Sequence, residues 1–167
     1  VNTQSKPSLT KLGEFWRTMH AFAPQGPPTV LEFTKYLEGR HCLRPEGVGP
    51  WDRLFHALTA QPGWGEKTSA LFLKAAIRVH RGQGSLHFLA DAETALAPIA
   101  DDKVYLPVDS VITYIFGQIG FKNPNFRSIN NLLHEHYSAE QMLVWDDLWY
   151  WGFFTQLVHK GNRESKW

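Results

Sequence analysis

Cysteine is almost absent from this chain. Cys42 is the one cysteine in 167 residues, so no internal disulfide framework can form and no four-cysteine zinc or iron–sulfur site can be assembled. A lone thiol is most simply a reduced residue of an intracellular protein. Long apolar runs are missing too. No stretch approaches the roughly 20 residues that span a bilayer, so no membrane association is expected. The opening Val1-Asn2-Thr3-Gln4-Ser5-Lys6 is polar and does not read as a secretory signal. Charge of one sign is also lacking. The net charge is +1, so any affinity for nucleic acid must come from where the charges sit rather than from their sum. Convincing strand patterns, internal repeats and low-complexity segments are absent as well.

Aromatic residues are plentiful, at 14% with seven Trp, which excludes a disordered tail. The length suits one domain with a real core. Helical apolar spacing runs from about Leu9 to Phe22 through Leu12, Phe15, Trp16 and Met19. Thr29-Val30-Leu31-Glu32 is a capping-box pattern that opens a helix to about Glu38, with Gly39 as its stop. Residues 40–50 read as a loop. A short helix is predicted over Trp51–Ala60, and a longer one over Glu66–Arg81. Residues 82–108 are less regular, with one short helix over Ala92–Leu96 capped by Asp91. Asp109 opens a helix that Gly120 ends, and Ser128–His136 forms another. Ser138-Ala139-Glu140-Gln141 is a second capping box, opening a last helix to about Val158. The expected fold is therefore one all-α domain over residues 1–167.

The most informative stretch is Pro62-Gly63-Trp64-Gly65-Glu66-Lys67-Thr68. Two helices meet at a tight turn with glycines two apart. Glycine permits a left-handed turn and a close backbone approach. The amides that open the second helix have no internal partners, and such a terminus can bind a phosphate. Lys67, Lys74, Arg78 and Arg81 share one face of that helix, with Phe72, Leu73 and Ala76 opposite. A basic stripe of this kind contacts phosphates without reading sequence; an ordinary solvated helix face gives the same spacing.

These residues resemble the hairpin of the helix–hairpin–helix DNA glycosylases, the superfamily of endonuclease III and the oxoguanine glycosylases. Pro-Gly-apolar-Gly, one variable residue and then Lys is typical of that hairpin, here with Gln61 in place of the usual apolar residue before the proline. Leu106-Pro107-Val108-Asp109-Ser110-Val111 resembles the family's second signature, in which an Asp opens a helix, and the two motifs occur in the family's order. The resemblance covers about residues 51–81 and 104–120. Asp109 follows Lys67 by 42 residues, about twice the spacing in the better-known members, so residues 82–103 read as an insertion. The part before the hairpin is shorter than the helical barrel usual there.

The resemblance implies a compact helical domain built around the hairpin, and a bifunctional DNA N-glycosylase and AP lyase of base-excision repair. Lys67 would attack the sugar carbon, displace the base and form a Schiff base. Asp109 would stabilise the developing positive charge and help move protons. A buried Lys67, with cationic Lys74 and Arg78 nearby, would favour the neutral amine that the attack requires. Gly63, Trp64, Gly65, Thr68, Lys74 and Arg78 are the candidate DNA contacts. Trp149 or Trp151 would stack on an extruded base, although most of the last helix's aromatics read as core. The partner would be double-stranded DNA carrying a damaged or modified base, bound by a monomer in the cytoplasm, on the nucleoid or in the nucleus. No cofactor is expected beyond a monovalent cation that the hairpin could hold. His134 and His136 lie on different helix faces and make a poor metal pair. The alternative function is a non-catalytic helix–hairpin–helix DNA-binding module, which the short N-terminal part and the insertion favour. For Lys67 the plain alternative is a surface lysine, and for Asp109 a helix N-cap.

Overall fold

The computed structural model describes residues 9–19, 22, 26–42, 44, 46–82, 87–90, 99–145, 147–148, 156–159 and 162–165. The short helix expected over 92–96 and the two tryptophans Trp149 and Trp151 lie outside them. The described chain is mainly helical. Helix α1 is Leu9–Met19, α2 Val30–Arg40, α3 Pro50–Thr59 and α4 Glu66–His80. A 3-10 turn at Ile99–Asp101 leads to α5 at Ser110–Gln118, α6 at Phe126–His136 and the short α7 at Ala139–Met142.

Local chemistry sets these boundaries. Thr29 and Glu32 cap α2 reciprocally, Thr29 Oγ1 accepting from the Glu32 amide at 3.0 Å and Glu32 Oε2 from the Thr29 amide at 2.8 Å. Asn125 and Ser128 do the same for α6, so Ser128, expected as the start of that helix, is its third residue. Ser138 and Gln141 cap α7 as predicted. The helix they open does not reach Val158, however. It ends at Met142, and Gln156–His159 is instead a strand, β1, paired antiparallel with β2 at Asn162–Ser165. The paired runs flank Lys160-Gly161, and a glycine between two short runs is a hairpin signal.

Helix α3 packs between α2 and α4. Trp51, Leu54 and Leu58 of α3, Leu37 of α2 and Leu73 and Ile77 of α4 are buried together, and Ile112 and Ile129 extend the same core into α5 and α6. Each such side chain contributes about 1.5–3 kcal/mol by leaving water. The stretch expected to be an insertion also contributes to this core. Leu89 and Ile99 are buried in it. The His80 ring donates through Nδ1 to the Ala76 carbonyl at 2.7 Å, and its Nε2 accepts from the amides of Phe88 at 3.2 Å and Leu89 at 3.1 Å. The Ala90 amide donates to the Pro28 carbonyl at 2.9 Å.

No helix among the described residues is long and apolar enough to cross a membrane.

Candidate active site

Lys67 stands in the first turn of α4, just past the turn that joins α3 to α4. That turn is built from the inside. Gln61 is buried, and its amide group donates to the carbonyls of Leu37 and Ala57, each at 3.0 Å. A polar residue thus takes the place an apolar one was expected to fill, and it ties the turn to both preceding helices. Gly63 has a φ of +88°, a conformation that L side chains rarely adopt. Gly65 is extended and N-caps α4 without a side-chain acceptor.

The Lys67 amine lies 3.6 Å from Oδ2 of Asp109. Asp109 is the N-cap of α5, and its other oxygen, Oδ1, accepts from the amides of Val111 at 2.8 Å and Ile112 at 3.1 Å. One carboxylate oxygen therefore fixes the helix start while the second faces the lysine. The starts of two helices, separated by 42 residues of sequence, come within the reach of one side chain. Both helix termini favour negative charge between them. The Lys67 side chain is 39% exposed and that of Asp109 15%, so the pair sits at the surface. The buried amine expected from the sequence is corrected on this point: the described residues leave Lys67 open to an approaching ligand.

Other expected DNA contacts fall elsewhere. Trp64 is buried among Phe15, Trp16 and Phe72, with ring centroids 5.0 to 6.0 Å apart, and cannot meet DNA from there. Gly63 is covered by α1; a Cβ on it would lie 2.8 Å from that of Lys11. Lys74 is 2% exposed and donates to the Met142 carbonyl at 2.7 Å. It is part of the interior because the chain after α6 folds back over this face of α4. Nor can it act as a cation beside Lys67 in the way expected, two helical turns away with its ammonium turned to Met142. Arg78 is exposed and reaches the Leu143 carbonyl at 3.1 Å, while Arg81 pairs with Glu140. Gly65 is exposed and Thr68 half-buried in the first turn of α4, so the open part of the expected DNA surface is the start of that helix.

The sequence marks residues 106–109 as a motif and leaves unmarked the contacts that hold the segment delivering Asp109. Residues 103–109 form no helix or strand and are fastened at successive residues. The Val104 carbonyl pairs with His134 Nε2 at 2.9 Å. The Tyr105 hydroxyl donates to Asp52 Oδ1 at 2.6 Å, and its ring stacks on Phe55 with centroids 4.0 Å apart. The Leu106 amide donates to Asn130 Oδ1 at 2.7 Å, and Asn130 Nδ2 donates back to the Leu106 carbonyl at 3.1 Å. Asn130 had a legible signal. It lies on the apolar stripe of α6 with Phe126 and Leu133, and a polar residue at a core position must have partners.

Asp102 starts this segment. Its carboxylate accepts from the amides of Trp51 at 2.7 Å, Asp52 at 2.9 Å and Lys103 at 2.7 Å, closing the open end of α3. Burial still raises its pKa above the usual aspartate value, against those bonds. Asp52 is the opposite case. Burial raises it, but hydrogen bonds from His56, Tyr105 and the Val48 amide outweigh that and hold it below the usual value. The bond to Asp52 in turn raises His56, partly offset by burial. Burial first, and then Asp52, push the Tyr105 phenol far above its ordinary range, so it remains a donor.

A cavity of about 540 Å³ opens between Tyr137, Gln141, Val144, Trp145, Asp147 and Leu148. Trp145 also packs against Tyr137 and against Phe116 of α5, with centroids 5.2 and 6.5 Å away. Neither Lys67 nor Asp109 lines it. Among the described residues no three His, Cys, Asp or Glu side chains gather as a metal would require. Compared with protein families, curated proteins and solved structures, the chain yields no match.

Proposed function

We propose that the chain is a DNA base-excision glycosylase with an associated lyase activity, a helix–hairpin–helix enzyme in which Lys67 is the nucleophile and Asp109 the carboxylate that serves it. The observation that carries this reading is the 3.6 Å approach of the Lys67 amine to Asp109 Oδ2 at the starts of two helices. One of those helices follows a glycine turn. A solvated lysine and an ordinary N-cap have no reason to converge across 42 residues of sequence.

In the resting protein the two groups form an ion pair, so the ammonium must lose a proton before it can attack. Asp109 is placed to take it. The neutral Nζ then bonds to C1′ of the damaged nucleotide as the bond from C1′ to the base nitrogen breaks. That electron pair leaves with the base, which takes the proton from Asp109. Positive charge develops at the sugar as the proton passes on, and the carboxylate so restored, held in place by two helix amides, is a preorganised stabiliser of it. Opening of the sugar ring gives a Schiff base between Lys67 and C1′, from which elimination cuts the strand. A duplex covering the exposed amine supplies the exclusion of water that the chain alone does not.

The test is borohydride trapping on a panel of duplexes carrying oxidised guanine, oxidised pyrimidine, uracil or other modified bases. A covalent adduct that disappears with Lys67→Ala, and forms much more slowly with Asp109→Asn, is the expected result. Salt-dependent duplex binding without an adduct from any substrate would instead leave a DNA-binding module.

A further inference from the structure

The position of Asp109 depends on more than its own cap. We infer that Asn130 is the positioning residue of this site, fixing through the Leu106 backbone where the Asp109 carboxylate stands relative to the Lys67 amine. The inference rests on the reading of Lys67 and Asp109 as the reacting pair, and it adds to that reading a residue from a different helix.

Asn130 is 1% exposed. Its carboxamide oxygen accepts from the Leu106 amide at 2.7 Å, and its nitrogen donates to the carbonyls of Leu106 at 3.1 Å and Phe126 at 3.0 Å. Both hydrogens of the amide group are thereby used, and the orientation of the group is determined. A flipped carboxamide would set its NH2 against an N–H and its oxygen against two carbonyls. The bridge acts on Leu106 as a neighbouring strand would, taking both backbone groups of one residue.

The few residues between Leu106 and Asp109 leave little slack. Pro107 has its φ fixed by the ring. Leu106 is restricted because a proline follows it. Asp109 is held at the far end by its bonds to the Val111 and Ile112 amides. Val108 alone retains ordinary backbone freedom, so a shift of Leu106 passes directly to the carboxylate. The Tyr105 hydroxyl on Asp52, at 2.6 Å, anchors the same segment one residue earlier.

The experiment reads the Lys67–Asp109 pair directly. Lys67 is methylated with formaldehyde and cyanoborohydride across a pH series, and its rate is followed by mass spectrometry in the wild type, Asp109→Asn, Asn130→Asp and the double variant. Asn130→Asp keeps the shape of the side chain but removes both donors. Losing the partner carboxylate should raise Lys67 reactivity about two- to fivefold, the effect of one exposed ion pair. Asn130→Asp should raise it similarly, the double variant should add nothing further, and Lys35 and Lys122 should label as before. A folded Asn130→Asp protein whose Lys67 labels as in the wild type overturns the proposal, as does an Asp109→Asn protein with unchanged labelling. If Asn130→Asp does not fold, Tyr105→Phe, which preserves the ring stack, takes its place, with a smaller rise expected and none overturning the proposal.

On any duplex the wild type excises, Asn130→Asp should lower kcat about ten- to a hundredfold with little change in KM. It should be non-additive with Asp109→Asn; additive losses would assign Asn130 a general structural role and overturn the proposal. A wild type that excises nothing removes the glycosylase reading, and the labelling result on Asn130 still decides the positioning.

Discussion

At Gly63 the backbone is left-handed, with φ at +88°, and the place where a Cβ would stand is 2.8 Å from the Cβ of Lys11. Gly63→Ala therefore combines backbone strain with a clash against α1. It should cost about 1–3 kcal/mol, seen as a lower urea midpoint followed by tryptophan fluorescence. Gly65 is extended, with nothing near its missing side chain, so Gly65→Ala should cost only the N-cap preference for Gly over Ala, about 0.5–1 kcal/mol. The two glycines of the turn thus differ in role. Lys74 presents another contrast. Its ammonium is buried against the Met142 carbonyl, so Lys74→Ala should destabilise the fold by about 2–4 kcal/mol through lost packing and an unsatisfied carbonyl. The same variant should leave the salt slope of duplex binding unchanged, because a residue that never meets a phosphate releases no counterion. A slope reduced by one unit would return Lys74 to the binding surface.

Among the elements, Asp102 links the segment before α5 to the open end of α3. Asp102→Ala would leave the amides of Trp51, Asp52 and Lys103 without that acceptor, and should cost about 1–3 kcal/mol in equilibrium unfolding. A loss below 0.5 kcal/mol, the scatter of surface substitutions, would mean that water replaces the carboxylate. The helices from α1 to α6 and the start of α7 were legible because apolar spacing and capping residues act locally: Thr29 with Glu32, Asp109 before Ser110, Ser138 with Gln141. The Lys67–Asp109 pair was legible through motif order alone, since spacing says nothing about which helix starts meet. What stayed hidden is what depends on partners distant in sequence. Residues 103–109 have no periodic signature because their polar groups are met by Asp52, Asn130 and His134. Lys74 read as a surface cation because the layer covering it, around Met142, lies 68 residues further on. The last helix was extended too far because the aromatic run after Trp145 satisfies helical spacing nearly everywhere, and an unbroken apolar pattern does not mark its own end.

At the scale of the whole molecule, the groups joining α3 to the segment that carries Asp109 give the fold a pH dependence with separable limbs. Asp52 is held below its ordinary value, so its contribution is present above that value and lost as the pH falls through the lowered one. Asp102 runs the other way. Burial raises it, the folded chain holds its proton longer than the unfolded chain does, and stability falls as the pH rises from the ordinary aspartate value through the raised one. On the acid side the two carboxylates therefore oppose each other. Above them His56 remains, facing Asp52, Tyr105, Glu46 and Lys103. Its pKa is raised mainly by the bond to Asp52, so its contribution is complete below the ordinary histidine value and disappears as the pH rises through the raised one. The side chain is 38% exposed, which keeps the effect modest. Thermal unfolding should show Tm falling as the pH rises above about 6.5 in the wild type, with His56→Gln flattening that fall and also weakening the acid-side contribution of Asp52, whose lowered pKa depends in part on His56. An equal fall in the variant would remove the His56–Asp52 pair, which lies within α3, from the pH dependence of the fold.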